Sequence, residues 1–393
     1  MPSVLESESV NGFWRDLNTK EAVELTQALV RIPSITSREG LAISEAVRDW
    51  YAQRGIEVEL VPAGAERASV VAEAGSGEPV LVLNAHLDTK WTDGMTIEPF
   101  AAELRDGKLY GRGACDTKGS VAGMMVAFAA AVAAGLPRVG TLRTVFEVGE
   151  EGDDWAALSL FEQGYLKATW AVVGEPSSGR IEIGNRGRLA GAVRTFGRST
   201  HTATAELGVN AIEKMARLVC ALRDLPYRQK VDPVWGQPPL NVWKIRSEGW
   251  EATVPYQCTA WFDARLNPDA GPEVVLEQIE ELLTQLSRED ADFRGELVRE
   301  AVKLSLPAAH VEVDHELVDA ARRALRKVAG KEPNLGANPA MTMAHVLITR
   351  GVPAIIYGPG SIAQAHTADE WVKVEEIEQA TRFYAALVEE LLG

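Results

Sequence analysis

The sequence predicts an α/β protein: a mixed central sheet with helices on both faces, interrupted by an inserted α+β domain. Three observations predict it. Before about residue 183 and after about residue 305, apolar runs of strand length alternate with segments of helical periodicity, the pattern of a sheet covered on both sides. Between those limits the strand-like runs alternate apolar and polar residues, as in an antiparallel sheet with one face on helices. The length, 393 residues, is too great for one ordinary domain. The expected division is 1–183 and 305–393 for the α/β domain and 184–304 for the insertion.

Taken in order, Asn18-Thr19-Lys20-Glu21 reads as a capping box, and Ala22, Leu25, Leu29 and Val30 form the stripe of the helix it opens. A second helix covers about 40–54. Strands are expected at 57–61, 69–73 and 80–84. The Ala-rich run 121–134 is a helix buried on most sides. Strand 141–148, helix 155–163 and strand 169–173 complete the first part. In the insertion, 187–196, 240–245, 256–263 and 296–304 read as strands, and 209–222 and 273–286 as helices. The α/β texture then returns with a helix from 314 to 328, a short helix at 341–350, a buried strand at 354–357 and an amphipathic helix at 374–392.

The formal charge of -16 argues against nucleic acid or an anionic membrane as partner, while clustered carboxylates could serve cations. Cys115, Cys220 and Cys258 show no CxxC spacing, so neither a disulfide framework nor a thiolate zinc site is expected, and a reducing cytoplasm is the simplest compartment. Met1 to Asn11 is polar and acidic, without the pattern of a signal peptide. The longest apolar run, 121–136, falls short of the ~20 residues a membrane span needs.

Chemistry concentrates around Gly111-Arg112-Gly113-Ala114-Cys115-Asp116-Thr117-Lys118-Gly119. Alone, this is a glycine turn with a helix-capping acid. Four other residues change that reading, because each follows an apolar run: His86, Glu151, Glu175 and, after Gly358-Pro359-Gly360, His366. Open α/β sheets bind ligands beyond the carboxyl ends of their strands, so these segments would meet at one rim. Two imidazoles and three carboxylates suit Zn²⁺, with Mn²⁺ or Co²⁺ as substitutes. Asp116 can bridge two cations, since a carboxylate has two oxygens. Asp88 shares a strand face with His86 and is expected to accept its other ring N–H. Glu150 adjoins Glu151, so the two are expected to point apart, and one can bind metal while the other holds the metal-bound water. The phosphate-loop ending Gly-Lys-Ser/Thr is absent from 111–119, so a nucleotide site is not expected.

These residues, with Asp106-Gly107-Lys108-Leu109-Tyr110, Gly174-Glu175-Pro176, Gly197 to His201 and Ala365-His366-Thr367 followed by Asp369-Glu370, resemble the dinuclear zinc hydrolases. That group includes acetylornithine deacetylase, succinyl-diaminopimelate desuccinylase, aminoacylase and the glutamate-releasing carboxypeptidases. The resemblance covers nearly the whole chain. It implies a zinc-exopeptidase-like catalytic domain whose insertion is a lid that makes a homodimer. It implies two Zn²⁺ per subunit, one on His86, Asp116 and Glu175, the other on Asp116, Glu151 and His366. Glu150 corresponds to the general base acting on a water between the metals. His201 corresponds to a lid histidine that reaches the partner's site, and Arg265 to an arginine on the substrate carboxylate, with Asn241 and Gly360 as further substrate contacts. A cis peptide is expected after Asp116. Two positions depart from the pattern: Ala252, where many relatives carry Asn, and Met343, where many carry an acid, both near the substrate in the group. The expected activity is hydrolysis of the amide of a small carboxylate-bearing compound, an N-acyl amino acid. The alternatives are a dipeptidase or carboxypeptidase on the same scaffold, and a non-catalytic binding homologue, against which the intact Glu150 argues.

Overall fold

The computed structural model describes residues 12–64, 66–152 and 156–393. The reading of Met1 to Asn11, and the expected helix start at Trp155, lie outside the described residues. Two compact units emerge: Met1–Gly184 with His310–Asn338 and Thr342–Gly393, and Asn185–Ala309 with Pro339–Met341.

The first unit is built on a sheet whose centre is parallel. Thr141–Glu147, Val80–His86, Trp170–Val173 and Ala354–Ile356 lie side by side in that order, all parallel. Antiparallel strands flank them: Ala68–Gly75 and Val58–Pro62 on one side, Ile181–Asn185 on the other. Every residue of Val80–His86 is buried, as a strand covered on both faces requires. Val80 and Val82 pack with Leu160 of the helix Ala156–Glu162 and with Val346 and Leu347 of Met343–Thr349. Successive side chains on a strand point to opposite faces. The other face meets the helix Gly119–Ala133, which packs on Val374–Leu392 and Thr19–Val30. Small residues permit that approach: a Cβ on Gly123 would lie 3.1 Å from Thr381 Oγ1 and 3.3 Å from Tyr384 Cε2.

A small three-stranded sheet, not anticipated from sequence, joins Trp371–Lys373, Lys108–Tyr110 and Glu103–Arg105. Its hairpin turns on Asp106 and Gly107, with φ of 51° and 70°, the left-handed pair that matches strand twist. The strand Lys108–Tyr110 runs straight into the Gly111 loop.

The second unit is an antiparallel sheet in the order Leu240–Glu248, Gln257–Leu266, Gly187–Phe196, Arg294–Val298, with Leu304–Leu306 also paired to Gly187–Phe196. Cys258, Ala260, Phe262, Ala264 and Leu266 face a core shared with Met215 and Leu218 of Ala211–Ala221 and with Ile279 and Leu283 of Pro272–Glu289.

Two local expectations need correction. The single strand at 296–304 is two pieces: Val298 pairs with Ala192 and Leu304 with Ala190, so 299–303 loops out opposite Gly191. The capping box at Asn18 does not form. Asn18 makes no side-chain cap, and Glu21, which would have to reach back, instead pairs with Arg54.

Candidate metal centre

His86 is the last residue of its strand, and its side chain is fixed from two sides. Nδ1 lies 2.9 Å from the backbone oxygen of Asp88, which puts a ring proton there and turns Nε2 toward Asp116. The Asp88 carboxylate, expected to take that proton, is 3.6 Å away. It is occupied elsewhere, accepting the backbone N–H groups of Glu150 at 3.2 Å and Glu151 at 2.9 Å. Two adjacent N–H groups converging on one carboxylate outcompete a single imidazole. Asp88 therefore ties the loop after Thr141–Glu147 to the loop after Val80–His86.

Asp116 lies in the break between the small hairpin and the long helix, and the Asp116–Thr117 peptide is cis, as expected. Gly113 must be glycine: its φ is 85°, and a Cβ would come within 2.5 Å of Thr89 Cγ2. Thr117 Oγ1 donates to the His86 carbonyl at 3.0 Å, joining the two segments. The two Asp116 oxygens face different neighbours. Oδ1 is 3.1 Å from His86 Nε2, and Oδ2 is 3.1 Å from His366 Nε2. Glu175 Oε1 lies 3.7 Å from His86 Nε2, and Glu151 Oε1 lies 2.8 Å from His366 Nε2. Two groups result, His86–Asp116–Glu175 and Asp116–Glu151–His366, each with ligand atoms within 4.8 Å of one another. His366 holds a left-handed backbone, φ 61°, a conformation rare outside glycine and commoner at functional sites.

Charge is dense here. Burial would raise the Asp116 carboxyl, but hydrogen bonds from His366 and His86 outweigh it and hold it well below the usual range. Hydrogen bonds to Asp116 and Glu151 push His366 up to about 9. Burial opposes protonation of His86, yet Asp116 and the nearby carboxylates hold it well above its ordinary value. Burial and the Asp116 charge raise Glu175. Half-buried Glu150 is pushed up to about 8, by burial first and then by Glu151, Asp88 and Asp116 against the opposing His86. In this state protonated imidazoles offset the Asp116 charge, while Glu150 and Glu175 are shifted toward their neutral forms. Two divalent cations fit the same set, with Asp116, Glu151 and Glu175 as anionic ligands and the imidazoles as neutral ones. The nitrogen and oxygen donors suit borderline divalent ions.

Two residues here escaped the sequence reading. Lys90 Nζ lies 3.0 Å from Glu151 Oε2, holding the oxygen that turns away from His366. Glu370 lies buried under the Asp116 loop. Its motif position was its only sequence signal.

The remaining candidates sit elsewhere. Gly360 packs on Cys115, where a Cβ would meet Sγ at 2.4 Å, and its N–H donates to Glu376 at 3.1 Å. Met343 is fully buried in the core against the sheet, where an acid would be costly. In the second unit, His201 is exposed and caps the turn Thr202–Leu207, its Nδ1 accepting the Ala203 N–H at 3.0 Å. A neutral His201 therefore carries its proton on Nε2, as a donor. Asn241, Arg188, Asp263 and Arg265 line a surface cleft of about 410 Å³. Arg265 Nε is 3.3 Å from Asp263 Oδ1, while Arg188 Nε takes Oδ2 at 2.7 Å, so two guanidinium groups share one carboxylate. Ala252 has φ 61°, a conformation Asn adopts more readily than Ala, which is a physical reason for Asn at that place.

Residues 82–390 match the family model described as Peptidase family M20/M25/M40. A succinyl-diaminopimelate desuccinylase of Xanthomonas campestris pv. campestris is 30% identical, over 95% of this chain and 100% of its own length. An acetylornithine deacetylase of Proteus mirabilis is 27% identical, over 93% of this chain and 96% of its own. Among solved structures, aminopeptidase PepT from Bacillus cereus ATCC 10987 shares the fold, with a TM-score of 0.73 at 20% identity, covering 96% of this chain and 100% of that one.

Proposed function

The chain belongs to the peptidase family M20/M25/M40 and is a hydrolase of amide bonds, and from that premise we propose that it deacylates a small N-acyl amino acid. One observation carries this reading: the two oxygens of Asp116 each complete a separate group of ligand-type atoms, with the non-ligand Glu150 beside both. The desuccinylase and deacetylase likeness, which spans nearly the full chain, supports the acyl amino acid over other amides.

His86, Asp116 and Glu175 would hold one cation and Asp116, Glu151 and His366 the other, as two Zn²⁺ per subunit with Co²⁺ or Mn²⁺ as substitutes. Bound there, the cations would polarise the amide carbonyl and lower the pKa of water. Glu150 takes a proton from the attacking water and delivers it to the leaving amine nitrogen. Asp88 keeps His86 Nε2 free and holds Glu150 and Glu151 by their backbones. Arg265 pairs with the substrate carboxylate, a planar match its fork suits, with Asn241 beside it. His201, a donor through Nε2, stabilises the oxyanion in a partner's site. A homodimer through the inserted domain has support in the edge strand Leu240–Glu248, which exposes Trp243 and Ile245. A cytoplasmic setting has support in the free thiols Cys115, Cys220 and Cys258. Among the described residues, no helix is long and apolar enough to cross a membrane.

The test is a panel of N-succinyl, N-acetyl and N-formyl amino acids against dipeptides, with Zn²⁺- or Co²⁺-loaded protein. Deacylation should exceed dipeptide cleavage by at least ~10²-fold in kcat/KM, the discrimination a few pocket contacts supply. The reverse preference makes the protein a peptidase. No turnover by protein holding two cations would overturn the catalytic reading.

A further inference from the structure

We propose that Glu370 is a positioning residue, which holds the Asp116 loop in the shape that presents one Asp116 oxygen to each cation. This rests on the reading that the two Asp116 groups hold cations. Glu370 is fully buried, and its carboxylate lies where the loop's backbone donors converge. Oε1 accepts the N–H of Cys115 at 2.9 Å and of Asp116 itself at 3.1 Å. Oε2 accepts the N–H of Gly113 at 3.1 Å and Nη1 of Arg112 at 2.7 Å. Successive backbone N–H groups turned to one side form an anion-binding concavity, and here the anion is a side chain of the same protein.

The position of that side chain gives the contact its consequence. Glu370 follows His366 by four residues. The Gly111 N–H donates to the Glu370 carbonyl at 3.0 Å, and Trp371–Lys373 pairs with Lys108–Tyr110. The segment that supplies the second group's imidazole thus also grips the backbone of the acid shared by both groups. Within the turn Ala114–Lys118, Asp116 has non-helical φ and ψ of -128° and 90°, so regular helical bonding does not define its conformation. The Glu370 carboxylate does. Arg112 supplies the counter-charge that lets an acid remain there, since an unpaired buried carboxylate is costly. Metal ligands tolerate errors of only about 0.2 Å, and Asp116 is common to both groups, so loosening this one loop should weaken both cations together.

The experiment compares the wild type with Glu370→Gln, with the charge-balanced Arg112→Met/Glu370→Gln pair, and with Glu182→Gln as control. Glu182 is also a buried carboxylate, bonded to Asn338 at 2.9 Å and Arg180 at 3.0 Å. Metal-free protein is titrated calorimetrically with Zn²⁺. The absorption spectrum of the Co²⁺ form and the melting temperature of the metal-free form are also recorded. Wild type should take up two cations. Both Glu370 variants should lose about 10- to 100-fold in affinity at both sites, the range seen when a partner of a metal ligand is removed, with shifted cobalt bands. Glu182→Gln should lower the melting temperature and leave both affinities within about threefold. Folded Glu370 variants that keep wild-type affinities and spectrum would overturn the inference. So would an equal loss in Glu182→Gln, which would make the effect general destabilisation. Wild type that fails to bind two cations would instead remove the metal reading beneath it.

Discussion

Loading the metal-free protein with cations should drive protons out, and the number can be worked from the site. His366 is held up to about 9 by its bonds to Asp116 and Glu151, and His86 also sits well above its ordinary value. At pH 7 His366 therefore carries a second proton, and His86 is shifted toward carrying one. A ring that ligates a cation must offer the Nε2 lone pair, so these protons must leave. Buried Glu175, raised as well, adds to the release. The His366 proton alone gives the overall two-cation constant a slope of one against pH, about tenfold per unit, or about 1.4 kcal/mol, and protons from His86 and Glu175 steepen it. The sign is fixed: affinity rises with pH until the rings are neutral, near 9 for His366. For folding of the metal-free form the same shift runs the other way. A histidine raised from 6.5 to about 9 contributes stability that is fully present below 6.5 and lost as pH rises through 9. The assay is calorimetric titration at pH 7 in buffers of different ionisation enthalpy, repeated from pH 6 to 8. Release of less than one proton per pair of cations, or an affinity flat over that range, would refute the assignment of these imidazoles as ligands.

Further outcomes follow from single positions. Glu150→Ala should keep both cations and lower kcat by at least ~10²-fold, measured by metal analysis and turnover; loss of metal would exchange its role with that of Glu151. Arg265→Ala should raise KM strongly for a substrate with a free α-carboxylate and much less for its amide, whereas equal losses would assign Arg265 to its contact with Asp263. Mixing Glu150→Ala with His201→Ala subunits should restore about a quarter of wild-type activity after random exchange, because half the dimers then hold one intact site in two. No recovery despite exchange would place His201's action within its own chain, or nowhere. Ala252→Gly should raise stability by up to about 1 kcal/mol in denaturant titration, since only the alanine resists φ of 61°; a lower midpoint would show that the Ala252 side chain contributes more than its backbone costs.

The sequence by itself determined the elements that local pattern controls. Buried parallel strands need unbroken apolar runs, so Val80–His86 and Thr141–Glu147 were legible with boundaries nearly right. The Ala-rich Gly119–Ala133 was legible as a buried helix because no polar face interrupts it. His86, Glu151, Glu175 and His366 stood out because each follows such a run. Ile181–Asn185 and the hairpin of Glu103–Arg105 and Lys108–Tyr110 were missed, being too short to show a period, although Asp106-Gly107 is a strong turn signal. Only the tertiary structure decided which acid serves which donor. Asp88 was chosen for His86 by spacing along one strand, but two N–H groups from the neighbouring loop claim its carboxylate. Glu21 was given to Asn18 by spacing along one helix, but Arg54 lies nearer in space. Glu370 reaches Asp116 across 254 residues, and no pattern in either segment announces the other. Periodicity follows from the geometry of one segment with itself. A hydrogen bond between segments depends on distances that exist only once the sheet has formed, and the Asp116 loop takes its shape from such bonds.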